Sequence, residues 1–154
     1  MHDHCTLGDP DNEENQLMIK QFNFGLVIQE SVFSGYFDAI VGLAYPTMAD
    51  SNVVPFFDSM IKEGILAKNL FAFHMSMNPD EEDSELIFGD IDHERYVGDI
   101  TWHPVVDKLF WSVRLDDVRI DTKNADGTIN KKSIGVCGKQ GRKECMATPD
   151  SGTS

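Results

Sequence analysis

Apolar residues alternate with polar ones along several stretches of the chain. Phe22, Phe24, Leu26 and Ile28 form one run, Phe71, Phe73, Met75 and Met77 a second, and Trp111, Val113 and Leu115 a third. Successive side chains of a strand point to opposite faces, so this period predicts half-buried strands. Gly35, Gly42, Pro46, Gly89, Gly98 and Pro104 punctuate the runs, as chain-breaking residues do. Asn124-Ala125-Asp126-Gly127 predicts a turn joining two more strands. One segment has another period. Val53, Phe56, Phe57, Met60 and Ile61 share one face at helical spacing. They predict a short amphipathic helix packed on a sheet, with Pro55 in its first turn, Ser51 or Asn52 as cap and Gly64 at its end. The expected class is mainly β with short helices.

Composition narrows the picture. A length of 154 residues is enough for one domain with a real core. No apolar run reaches the roughly 18 residues needed to span a bilayer. Met1-His2-Asp3-His4-Cys5 lacks the basic and apolar regions of a signal peptide. The expectation is either a cytosolic chain or one whose true N-terminus lies elsewhere. The formal charge of −13 argues against a nucleic-acid partner, because binding phosphates needs a basic face. The acidic run Asp80-Glu81-Glu82-Asp83, within Asn78 to Glu85, reads as an exposed hairpin tip. Lys131, Lys132, Lys139, Arg142 and Lys143 read as a basic surface loop.

Three cysteines are present. Cys137 and Cys145 bracket a polar, Gly-rich heptapeptide. They read as a hairpin disulfide, the alternative being two free thiols in a reducing compartment. Cys5 is left over, either a free thiol or the partner of a cysteine outside this sequence. No metal site is expected, since His2, His4 and Cys5 crowd three ligands into four residues at one end. No cofactor is expected either. Gly138-Lys139-Gln140-Gly141 lacks the spacing of a phosphate loop, and Lys123 and Ala125 break a calcium-loop pattern. The strongest chemical candidate is Asp150-Ser151-Gly152-Thr153-Ser154. An aspartate followed by hydroxyl residues and a glycine suits a tight loop that presents one carboxylate. The hydroxyls can donate to it, and the glycine allows a turn where a Cβ would clash.

The stretch Tyr36-Phe37-Asp38-Ala39-Ile40-Val41-Gly42-Leu43-Ala44-Tyr45-Pro46 closely resembles the F-D-G-I-L-G-L-A-Y-P motif of the pepsin-like aspartic proteases, the pepsin and cathepsin D family. More of the chain follows in that family's order. Phe22 to Leu26 resembles the strand before the motif, and Val54 to Leu66 the helix after it. Leu70 to Phe73 and Leu86 to Asp92 resemble strands of the inter-lobe region. Tyr96-Val97-Gly98, Trp102-His103-Pro104-Val105 and Phe110-Trp111-Ser112-Val113 come next, then the cysteine pair and the terminal Asp loop. The resemblance covers nearly everything from about Phe22 onward.

It implies an incomplete pepsin-like bilobal acid-protease fold. Residues 1–94 would be the C-terminal part of the first lobe with its inter-lobe strands. Residues 95–154 would be the N-terminal part of the second lobe, ending at the Asp150 loop. The first Asp loop and the flap are expected before residue 1, and the bracing strands after Ser154, so the missing remainder of the fold is an expected partner. The implied activity is aspartic-type endopeptidase at acidic pH. Asp150 would be one of two catalytic carboxylates. Ser151 would bond across to the opposite loop, Gly152 would permit the turn, and Thr153 would hold the outer carboxylate oxygen. Phe37 and Ile40 would line the pocket for the residue before the cleaved bond, plain core packing being the alternative. The partner would be a peptide or protein substrate. The compartment would be secretory, lysosomal or vacuolar. Thr148 and Pro149 depart from the family's pattern of two apolar residues before the aspartate; Pro149 suggests a variant edge or bulge. Two other readings compete. One is a non-catalytic pepsin-like chain, a binding module or inactive partial product. The other is a homodimer with one aspartate per chain, which the long pepsin-like run before the motif disfavours.

Overall fold

The segment with helical spacing lies at the centre of the first of two units in the computed structural model. Met1–Ile100 forms that unit and Thr101–Ser154 the second. The structure describes residues 1–8, 11–12, 16–29, 38–50, 53–78, 84–135, 137 and 145–152.

In the first unit, β1 (His2–Leu7) pairs antiparallel with β2 (Leu17–Asn23). A single 3-10 turn follows at Pro46–Met48, then α1 (Phe56–Glu63). Strands β3 (Phe71–His74) and β4 (Glu85–Phe88) form an antiparallel hairpin. Phe56, Phe57 and Met60 lie on one face of α1 and are buried. The Phe56 ring meets Phe22 edge-on at 5.3 Å and Phe88 at 5.8 Å, while Phe57 meets Phe71 edge-on at 4.9 Å. One helix face therefore ties both hairpins into one core, and edge-on aromatic pairs add to the burial of area. Ile19 of β2 belongs to the same core, with Phe56 and Met60.

The helix ends as its sequence predicts. Gly64 is left-handed at φ 68°. Its N–H donates to the Ile61 carbonyl at 3.0 Å, and Ile65 N–H to the Met60 carbonyl at 3.3 Å. This is the usual way the last helical carbonyls find partners. The start differs from expectation. Pro55 is the capping position, with no side-chain cap, and Ser51 and Asn52 lie outside the described residues.

Two predicted strands are shorter than their alternation. β2 stops at Asn23 instead of running to Ile28. One further backbone bond joins the two segments, the Phe24 N–H donating to the Met1 carbonyl at 3.1 Å. Leu26, Val27 and Ile28 are exposed. Likewise β3 ends at His74, leaving Met75 and Met77 exposed. Alternation needs a neighbouring strand to become a ladder. Most of the acidic tip between β3 and β4 lies outside the described residues.

The second unit holds β5 (Val105–Asp107), β6 (Ser112–Leu115), β7 (Arg119–Lys123), β8 (Ile129–Ser133) and β9 (Cys145–Ala147). The three-stranded antiparallel sheet has the order β5-β6-β9, and β7 and β8 form a separate hairpin. Its turn is the predicted one: Asn124 N–H donates to the Thr128 carbonyl at 2.9 Å, and Gly127 N–H to that of Asn124 at 3.0 Å. Cys137 and Cys145 are disulfide-bonded with Cα atoms 5.6 Å apart, and Cys5 is a free thiol. The class is mainly β with short helices, as the alternation predicts. Among the described residues, no helix is long and apolar enough to cross a membrane.

Candidate active site

The Asp150 loop is positioned by β6 and β9. Leu115 pairs with Cys145, Arg114 with Met146 and Val113 with Ala147. The disulfide at Cys145 ties the start of β9 to Cys137. Beyond Ala147 the ladder ends, and a side-chain contact takes over. The hydroxyls of Ser112 and Thr148 lie 2.9 Å apart. Ser112 is buried at 3% exposure, so its hydroxyl needs a partner and finds one at the root of the loop. Pro149 stands two residues beyond Ala147, the last ladder residue, where no backbone donor is called for. The departure from the family pattern thus falls just outside the strand, and Thr148 uses its hydroxyl where the family has an apolar side chain.

Asp150 itself is exposed, as are Ser151 and Gly152. The Gly152 N–H donates to Asp150 Oδ1 at 2.9 Å, an aspartate-closed turn two residues long. A Cβ on residue 152 would sit 3.3 Å from that same oxygen. Glycine is therefore favoured here by close approach rather than by a left-handed backbone. One carboxylate oxygen is held by its own loop. The carboxylate is thus presented to solvent with Oδ1 engaged by the Gly152 amide. Asp150 is the one carboxyl among the described loop residues 150–152.

The other predicted site residues are dispersed. Ile40 belongs to the first unit, in an irregular stretch before the Pro46–Met48 turn, and is 68% exposed beside an exposed Val41. Leu43, three residues on, packs against the Ile19–Phe56–Met60 cluster and anchors the stretch. Phe37 and Thr153 lie outside the described residues. Among the described residues, no group of three or more His, Cys, Asp or Glu side chains could hold a metal ion. The residue pair that sequence reasoning missed is Ser112–Thr148. The signal was a serine within an otherwise apolar-and-charged strand, one residue after Trp111.

Comparison with known proteins decides the family. Residues 12–154 match the model of the eukaryotic aspartyl protease family. The chain belongs to that family. It is 36% identical over 118 residues to cathepsin D of Dictyostelium discoideum, a match covering 77% of this chain and 27% of the relative. Pepsin A of Suncus murinus matches with the same identity and coverage. Cathepsin D of Clupea harengus is 31% identical over 156 residues, covering 99% of this chain and 34% of the relative. The chain thus spans about a third of the length of the curated relatives it matches. The mostly β architecture agrees with an incomplete pepsin-like fold.

Proposed function

We propose that the chain supplies one of the two catalytic carboxylates of an aspartic endopeptidase working at acidic pH, and that Asp150 is that carboxylate. The observation that carries the reading is the Asp150 turn, closed by the Gly152 amide at 2.9 Å and set at the end of a disulfide-tied strand, within a segment matched to the protease family. Peptide hydrolysis by this route uses water as nucleophile. One carboxylate takes the proton from water while the other, protonated, donates to the scissile carbonyl. Two carboxyls held together share one proton because both cannot ionise cheaply, an effect for which aspartic proteases are themselves the standard example. The pair titrates as a unit.

In this reading Ser151 bonds across to the opposite loop and Thr153 holds the outer carboxylate oxygen. The opposite Asp loop comes from outside these residues, since the sequence has no second Asp-Ser/Thr-Gly. Phe37 and Ile40 line the subsite before the cleaved bond, and the exposed apolar Ile40 supports that role. Residues 1–94 belong to the first lobe and 95–154 to the second. Substrates are peptides or proteins. The Cys137–Cys145 bond supports an oxidising, secretory or lysosomal route.

A peptide-cleavage assay at acidic pH tests this. The 154-residue chain alone should be inactive, and the complete polypeptide carrying a first Asp loop should cleave. Cleavage by the isolated chain would refute the one-carboxylate reading. Inactivity of the complete polypeptide would instead support the non-catalytic alternative.

A further inference from the structure

The β1–β2 hairpin carries a defect with a consequence. Asp3 pairs with Phe22 and Cys5 with Ile19. One residue of β1, His4, therefore stands opposite two of β2, Lys20 and Gln21, which is the two-against-one arrangement of a β-bulge. The bulge directs the Lys20 and Gln21 amides to a side chain. The Glu63 carboxylate accepts the Lys20 N–H through both oxygens, at 2.9 and 3.0 Å, and the Gln21 N–H through Oε1 at 3.2 Å. Glu63 is the last residue of α1, 43 positions from Lys20 in the chain.

We propose that Glu63 is an acid-releasable latch, its carboxylate clamping the bulge of β2 and so holding the end of α1 to the hairpin. A negative charge at a helix C-terminus opposes the helix dipole. A glutamate there is explained by what it binds rather than by helix preference. Charged hydrogen bonds from two adjacent amides are stronger than neutral ones. The Lys20 N–H foremost holds this carboxyl below the usual glutamate range; desolvation opposes it, and the Gln21 N–H and the ammonium groups of Lys20 and Lys62 add to the lowering. His2, Lys20 and Lys62 line the same cleft as Glu63. Because the folded value is depressed, the latch is fully closed above the ordinary glutamate pKa of about 4.3. It opens as pH falls through the lower folded value. Protonation leaves a weaker acceptor, and the bulge amides turn to water.

The test is amide NMR of the full 154-residue chain during acid titration, beside Glu63→Gln. The proposal expects the Lys20 and Gln21 amide protons to move upfield together on acidification, with a common midpoint below that of an ordinary glutamate. It expects the same midpoint at the Glu63 side-chain carboxyl, read in the wild type alone. In Glu63→Gln the step should vanish from both amides, and their hydrogen exchange should be faster at pH 6. Flat amide shifts, a midpoint at or above the ordinary value, or an unchanged step in Glu63→Gln would each overturn it. So would the absence of dispersed α1 and β2 signals at pH 6, where the latch should be closed.

Discussion

The two units are held together by different means. In the first, Ile19, Phe56, Phe57 and Met60 are buried, and one helix face gathers two hairpins. In the second, Ser112 is the one buried side chain among the described residues, and a disulfide and a hydroxyl pair secure the strand that carries Asp150. Apolar packing gives stability without regard to direction. A covalent tie and a hydrogen bond give less burial but fix where a particular atom sits. The Asp150 loop is exposed, so its support comes from the strand beneath it rather than from burial.

This contrast can be broken in graded ways, each followed by denaturant unfolding with residue-resolved hydrogen exchange to tell the units apart. Phe56→Ala should cost the most, about 3–5 kcal/mol, because it empties the junction between Phe22 and Phe88. Loss of protection should be confined to residues 1–100. Equal loss in β6 and β9 would mean that the units share one core. Removing the disulfide by Cys137→Ser with Cys145→Ser should cost about 2–4 kcal/mol, lowering protection along β6–β9 while α1 keeps its own. Ser112→Ala should cost about 1 kcal/mol, since the exposed Thr148 hydroxyl can turn to water. Its sharper sign is faster exchange of the Gly152 amide. Asp150→Asn should change stability least, by no more than about 0.5 kcal/mol, because the side chain is exposed. A large loss there would make Asp150 a structural residue.

The same contrast explains what was legible in the sequence. The helix was readable because its apolar face is a local pattern: Phe56, Phe57 and Met60 recur at helical spacing, and Gly64 marks the end. The Asn124–Gly127 turn and the Cys137–Cys145 bond were readable for the same reason, being short-range. Strand ends were not. Leu26 and Ile28 continue the alternation, yet β2 ends at Asn23, opposite His2 of β1, and where a strand ends depends on a partner segment elsewhere in the chain. The Asp150 loop was recognisable from five residues and a run of family motifs. Its anchoring by Ser112 was not, because that hydrogen bond spans 36 positions. Glu63 was invisible for a like reason: nothing local says that a helix-end glutamate binds a bulge 43 residues away.

The central claim is that Asp150 is a catalytic carboxylate rather than an ordinary turn residue. The most direct measurement is peptide hydrolysis at acidic pH by the complete polypeptide and its Asp150→Asn variant, with folding of both checked by hydrogen exchange in β6 and β9. The account predicts that the folded variant loses about 10²–10⁴-fold or more in kcat, the scale of losing a general acid–base group. A folded variant that keeps kcat within about tenfold of the parent would contradict it.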